Sequence, residues 1–201
     1  MSVSLTDGVV TIRPLQLADG DAMHAAVIES LAELCRWLPW AHPAYGRGDA
    51  TSFIEMTLRW WENKSEFPFG IFDATNDSYI GNVGVNHLVR AHGYANLGYW
   101  VRKSRTRQGL AVRATRLAAR YGFETLGLTR IEIVANPDNL GSRGVAEKAG
   151  ATLEALVRNR IVMHGRPLPA VLYSLVPEDL GLAPLSAPSP SPSPSSSPET
   201  R

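Results

Sequence analysis

Trp100-Val-Arg-Lys-Ser-Arg-Thr-Arg-Gln-Gly-Leu-Ala111 joins a strand pattern to a helical one. Ahead of the turn, Leu97-Gly-Tyr-Trp-Val101 is short, apolar and aromatic, the composition of a strand. Behind it, Leu110, Ala114, Leu117, Ala118, Tyr121 and Leu126 recur at helical spacing, while Arg113, Arg116 and Arg120 line another face. A turn at Gly109 leaves the first N–H groups of the helix without partners. Those donors, the helix dipole and Arg102, Arg105 and Arg107 suit a phosphate-rich anion. Taken alone, a glycine-containing turn with solvated arginines has the same pattern, so its meaning depends on what flanks it.

Downstream, the helix runs from about Gln108 to Leu126 with Gly127 as its cap, and Arg130-Ile-Glu-Ile-Val-Ala135 is a strand. Asn136-Pro-Asp-Asn-Leu-Gly-Ser142 has the chemistry of a loop, followed by a short helix from Arg143 to Ala149 closed by Gly150. Thr152 to Val162 and Ala170 to Val176 are the final strands. Upstream, Val9 to Arg13 is a strand. A helix from about Asp19 is broken at Pro39, and a second runs from an N-cap at Asp49 to Asn63. Pro68–Phe72, Tyr79–Leu88 and Tyr94–Val101 form an antiparallel meander. The order β α α β β β α β α β β predicts an α/β protein with a twisted mixed sheet of about seven strands and helices on both faces. Residues 1–181 form one domain; residues 182–201, dominated by Ala, Pro and Ser, predict a disordered tail.

The 201 residues carry a formal charge of +1, which argues against a general nucleic-acid binder. A single cysteine, Cys35, excludes an intramolecular disulfide and a multi-cysteine metal site. No apolar run is long enough for a membrane span, and the first residues lack a signal-peptide pattern, so the expectation is a cytoplasmic protein. A P-loop is disfavoured because no Lys-Ser/Thr pair follows the glycine turn.

Ile12-Arg13-Pro14-Leu15, Trp37-Leu-Pro-Trp40, Leu97–Val101, Gln108-Gly-Leu-Ala111, Arg130–Ile133, Asn139–Ser142, Glu147-Lys-Ala-Gly150 and Leu172–Leu175 stand in one order along the chain. In that order and spacing the chain resembles the GNAT superfamily of acyl-CoA-dependent N-acetyltransferases. Within it, the chain is similar to the branch of ribosomal-protein N-terminal (Rim-type) acetyltransferases. The resemblance spans about Thr11 to Leu180. Gly109 and Ala111 match the family's pyrophosphate loop, whereas Thr106 stands where Gln or Arg is usual.

The resemblance implies a splayed V between the strands Leu97–Val101 and Arg130–Ala135, acetyl-CoA as acyl donor, and no metal. It places Trp100, Val101, Arg102, Arg107, Gln108, Gly109, Leu110, Ala111, Val112, Arg113, Asn139 and Ser142 at the cofactor, with backbone near Trp100 and Val101 on the thioester oxygen. Ser142 is the candidate acid for the leaving thiolate. Related enzymes carry a Glu on the strand before the loop, but here Tyr94-Ala-Asn-Leu97 has no carboxylate. Glu132, His87, Glu33 and His42 are the candidate bases, and Trp37, Trp40 and His42 are expected at the acceptor, with Trp60 assigned to packing. The acceptor is an amine, either the N-terminus of a ribosomal or other protein or a small molecule, with no direct nucleic-acid or membrane partner. Another acyl donor such as succinyl-CoA, and a non-catalytic acyl-CoA sensor, are the alternatives. A homodimer is compatible with the pattern.

Overall fold

The computed structural model describes residues 3–184. Strands β1 (Leu5–Thr6) and β2 (Val10–Arg13) precede helices α1 (Gly20–Trp37) and α2 (Arg47–Asn63). Strands β3 (Phe67–Asp73), β4 (Tyr79–Val89) and β5 (Tyr94–Val101) lead into α3 (Leu110–Glu124). Then follow β6 (Arg130–Ala135), α4 (Leu140–Ala149), β7 (Thr152–Met163) and β8 (Arg166–Leu175). All eight strands form one mixed sheet in the order β1-β2-β3-β4-β5-β6-β8-β7. Among the described residues only the β5–β6 pair is parallel, joined by the single crossover helix α3; β2 and β3, joined through the helix pair α1 and α2, are antiparallel. The expected α/β architecture is present, with one strand more than expected. That strand, β1, has two residues, too few for a period-two pattern, and is set by the turn at Asp7 and Gly8, whose φ is +85°.

Two apolar clusters build the core. Val83, Val85, Leu97, Ile131, Ile133 and Tyr173 pack with Ala114 and Ala118 of α3, whose small side chains allow a close approach. Leu15, Phe72 and Tyr79 pack with Met23 and Val27 of α1 and Ile54 of α2. Cys35 belongs to this second cluster as a partly buried packing residue.

Several boundaries differ from expectation for local reasons. Helix α2 begins two residues before Asp49 with Gly46 as its cap, and the Asp49 carboxylate reaches back to accept the Gly46 N–H at 2.8 Å. Helix α3 ends at Glu124, and Gly127 (φ +67°) turns the chain so that Leu128 N–H bonds the Gly122 carbonyl at 3.0 Å. Of the expected tail, Leu182 packs against the core, and residues 185–201 lie outside the described residues. Among the described residues, no helix is long and apolar enough to cross a membrane.

Candidate active site

Strands β5 and β6 pair at Tyr94–Arg130, Ala95–Ile131 and Asn96–Glu132 and nowhere beyond. From there Leu97–Val101 follows β4 and Ile133–Ala135 follows β8, so the two parallel strands part. Five residues at about 3.3 Å each make a slot roughly 16 Å deep between them. Gly81 permits this: a β-carbon there would lie 2.1 Å from the Trp100 carbonyl oxygen, so β5 leans onto β4 as only glycine allows. The Arg102 N–H bonds the Ile80 carbonyl at 2.8 Å, which fixes the alternation of the strand. Trp100 and Gly98 therefore turn their backbone groups to β4, and Leu97, Tyr99 and Val101 present theirs to the slot. The Val101 backbone thus faces the slot, the Trp100 backbone faces β4, and the Trp100 side chain lines the neighbouring cavity.

Across the slot, the Tyr99 hydroxyl donates to the Ser142 carbonyl at 2.8 Å, and the Ser142 hydroxyl donates to Tyr99 Oη at 3.3 Å. Burial pushes the Tyr99 phenol up to about 12, so it stays protonated. Asn139 caps α4 by accepting the Ser142 N–H on Oδ1 at 3.0 Å, which leaves its Nδ2 for a ligand.

At the open end of the slot, Arg107 (φ +60°) and Gly109 (φ +76°) bring the chain into α3. The first helical bond is Arg113 N–H to the Gly109 carbonyl at 3.1 Å, so the N–H groups of Gln108 through Val112 have no acceptor among the described residues. The space beside Gly109 is open. The bare N–H groups expected from the turn are therefore present, and the arginines around them are differently placed from expectation. Arg102 pairs with Glu29, Arg105 with Asp73 at 2.7 Å, and Arg113 with Asp7 at 2.7 Å. Among the described residues Arg107 has no ion pair. The guanidinium groups of Arg102 and Arg113 thus sit in ion pairs with carboxylates distant in sequence.

Glu29 and Ser30 of α1 were not singled out from sequence, yet they hold this loop. Glu29 accepts the Ser104 N–H at 2.6 Å as well as Arg102, and Ser30 Oγ accepts the Lys103 N–H at 2.9 Å. Ser30 is 2 % exposed, and a hydroxyl in the apolar stripe of α1 was the signal available. Arg102, then its bond to Ser104, lowers the Glu29 carboxyl from 4.5 to about 2. A carboxyl depressed in the folded state contributes stability above its unfolded pKa and loses it as pH falls from about 4.5 towards 2. Thermal melts across that window should fall more steeply for the wild type than for Glu29→Gln; parallel curves would remove Glu29 from this role.

Beside the slot lies a cavity of about 640 Å³, lined by Trp40, His42, Tyr45, Phe53 and Trp60 and by Trp100 from the sheet. Gly84 and Gly98 are register partners in its floor, where the missing side chains leave room. Trp40 and Trp100 meet at 6.1 Å, and His42 Nε2 lies 3.7 Å from Asp49 Oδ1. Trp40 and His42, expected at the acceptor, both line this cavity. Trp37 does not: it carries the Arg36 guanidinium 4.5 Å over its ring. Trp60, assigned to packing, does line it, because Trp61 takes the packing position, bonding the Pro68 carbonyl at 2.7 Å.

Three candidate bases fall outside the cavity. Glu132 is held by Arg130 at 3.1 Å, His87 (φ +50°) is exposed at a bulge in β4, and Glu33 pairs with Lys103 at 3.2 Å. Among the described residues, no group of three His, Cys, Asp or Glu side chains is placed to hold a metal ion.

Residues 10–152 match the family model described as Acetyltransferase (GNAT) domain. The chain is 39% identical over 105 residues to "Probable N-acetyltransferase YjcK" of Bacillus subtilis, a match covering 52% of this chain and 58% of that protein. The chain thus spans less than two thirds of YjcK. It is 28% identical over 169 residues to "Putative ribosomal N-acetyltransferase YdaF" of the same organism, covering 83% of this chain and 91% of that one. The fold is shared with Mycobacterium smegmatis RimJ, solved in complex with CoA-disulfide, at a TM-score of 0.79, 24% identity and 90% coverage of each chain. The parted strands, the bare start of α3 and these matches agree, and the chain belongs to the GNAT superfamily of acyl-CoA-dependent N-acetyltransferases.

Proposed function

We propose that the protein transfers an acetyl group from acetyl-CoA to a primary amine by direct attack within a ternary complex. The observation that carries this reading is the alignment of unpartnered N–H groups at Gln108–Val112 with the slot between β5 and β6. The N–H groups and Arg107 hold the pyrophosphate, and the slot-facing backbone of Leu97, Tyr99 and Val101 receives the pantetheine arm as an added strand. Asn139 Nδ2 orients that arm, and a slot-facing N–H near Val101 steadies the thioester oxygen as the amine attacks. Acetyl-CoA supplies the acetyl group as an activated thioester. Ser142, by turning its O–H from Tyr99 Oη, 3.3 Å away, to the departing sulfur, donates a hydrogen bond to the thiolate.

Of the four candidate bases, His42 is the one lining the cavity. With Nε2 turned to Asp49, Nδ1 is left to take a proton from the incoming ammonium. An α-amine titrates near 8, so a neutral fraction of about one tenth is present at pH 7 without help. His42→Asn is therefore expected to lose about tenfold in kcat/KM at pH 7 and to recover above pH 8. A loss of equal size at every pH would remove His42 as the base.

The acceptor is a protein N-terminus or a small amine; YdaF, similar over most of both chains, is named for the ribosome. Incubating the protein with acetyl-CoA and a panel of amines and N-terminal peptides, and following free CoA thiol, tests the proposal. Thiol release that depends on the amine is the expected result. Tight acetyl-CoA binding with no release for any amine would make the protein a sensor, and release from succinyl-CoA alone would change the donor.

A further inference from the structure

A second cavity, of about 450 Å³, lies between the end of α1 and the tip of the β7–β8 hairpin, lined by Arg36, Asn136, Met163, His164, Arg166 and Leu168. Four of the six offer nitrogen donors and none is a carboxylate. Among the described residues neither Arg36 nor Arg166 has an ion pair, in contrast to Arg102, Arg105 and Arg113. Trp37 holds the Arg36 guanidinium 4.5 Å over its ring and leaves it without a counter-charge. Asn136 Oδ1 accepts the Asp138 N–H at 2.9 Å, so Nδ2 is the group left over. The hairpin tip is fixed in place. His164 (φ +49°) and Gly165 (φ +76°) make its two-residue left-handed turn, Arg166 is the register partner of Met163, and Met163 is 7 % exposed.

This cavity and the aromatic one flank the slot. Gly98 and Trp100 of β5, one edge of the slot, line the aromatic cavity, and Asn136 directly follows Ala135, the end of the other edge. The end of α1 serves both, since Arg36 lines the second cavity and Leu38 and Trp40 the first. Arg36 and Trp40 are four residues apart, which bounds their separation at about 14 Å. An extended peptide advances about 3.3–3.6 Å per residue, so an acceptor whose first residue enters the aromatic cavity brings its second to fourth residues to the other. The two cavities differ in charge. Asp49 and Glu66 line the aromatic one together with His42 and Arg59, whereas the second presents only cationic and neutral groups. Two guanidinium groups beside an imidazole and an amide donor suit anionic oxygens. The α-carboxylate of a free amino acid lies beside its amine and does not reach this space while the amine is at the thioester; a side-chain carboxylate further along a peptide does.

We infer that Arg36 and Arg166, with His164 and Asn136 beside them, bind acidic side chains that follow the reacting N-terminus of a protein acceptor. The inference rests on the acetyl-transfer reading above and narrows the acceptor to protein N-termini with Asp or Glu among the residues after the first.

The peptide amides Phe-Glu-Glu-Glu-Ala-Ala and Phe-Gln-Gln-Gln-Ala-Ala share shape and N-terminal residue and differ in charge. The readout is the ratio of their kcat/KM values, measured by CoA thiol release. The wild type is expected to favour the Glu peptide about tenfold, and the ratio to fall to about one in Arg36→Gln/Arg166→Gln. Arg166→Gln alone, which leaves the contact between Arg36 and Trp37 intact, should lower it about threefold. Adding about 0.5 M NaCl should reduce the wild-type ratio and leave that of the double variant where it is. A wild-type ratio within twofold of one overturns the inference, as does a ratio that the double variant retains. A rise in the acetyl-CoA KM of the double variant with an unchanged peptide ratio also overturns it and assigns the arginines to the phosphates of the cofactor. Thiol release with 2-phenylethylamine but with neither peptide leaves acetyl transfer standing and removes only this site. Acetyl-CoA binding without release for any of the three removes both.

Discussion

Replacing Gly109 by aspartate is expected to weaken acetyl-CoA binding by about a thousandfold while the domain stays close to its original stability. Gly109 occupies the N-cap of α3 with φ +76°, and nothing lies within 4 Å of the β-carbon a side chain would add. Aspartate is a favoured N-cap, and its capping gain of about 1 kcal/mol offsets a left-handed strain of similar size. The carboxylate then accepts the N–H groups that the pyrophosphate needs and adds a negative charge beside it. Two lost charge-assisted bonds at about 1.5–3 kcal/mol each correspond to roughly three decades in affinity. Calorimetric titration with acetyl-CoA alongside a thermal melt checks this. Gly109→Ala is the control, since it adds the strain without the charge or the cap. A Gly109→Asp protein that binds within tenfold of the wild type would place the pyrophosphate elsewhere.

The second large effect is structural in origin. Gly81→Ala drives a methyl group to 2.1 Å from the Trp100 carbonyl oxygen and 2.8 Å from the Val101 α-carbon, both rigid backbone. Relief requires β5 to move off β4 towards β6, which narrows the slot. Overpacking of this kind costs about 3 kcal/mol and should lower the melting temperature by roughly 6–12 °C in a domain of this size. Acetyl-CoA affinity should fall with it, because the clashing residues, Trp100 and Val101, are two of the five along the slot. Gly98→Ala, whose β-carbon would meet only Asn86 Nδ2 at 3.8 Å, should stay within about 0.5 kcal/mol of the wild type. Equal melting curves for Gly81→Ala and Gly98→Ala would show that β5 is free to shift and that Gly81 does not hold the slot open.

Local chemistry explains which elements were legible. Period-two runs and the apolar stripe of α3 set the element order, because burial on one side of a strand or helix imposes its spacing on the residues themselves. The turn at Gly109 was legible for the same reason: a left-handed residue between a strand and a helix narrows the choice to glycine and bares the next N–H groups whatever the surroundings. The caps at Asn139 and Gly150 belong to this class.

Charge and cavity were not legible, because each depends on residues far apart in the chain. Arg102, Arg105 and Arg113 read from sequence as phosphate ligands, yet Glu29, Asp73 and Asp7 reach them only once α1, β3 and the β1–β2 turn are docked. Trp37 and Trp60 exchanged roles, because the rotation of α1 and α2 against the sheet decides which aromatic faces the opening. By itself the sequence determined the order of elements and the turn that bares the N–H groups at the start of α3, both consequences of backbone conformation and near-neighbour pattern, while the parted strand pair was implied by the resemblance. Tertiary structure alone decided that Arg102, Arg105 and Arg113 are paired, and that Glu132, His87 and Glu33 stand outside the cavity. The physical reason is that electrostatic pairing and concave surfaces are properties of side chains brought together across the sheet, and spacing along the chain does not encode them.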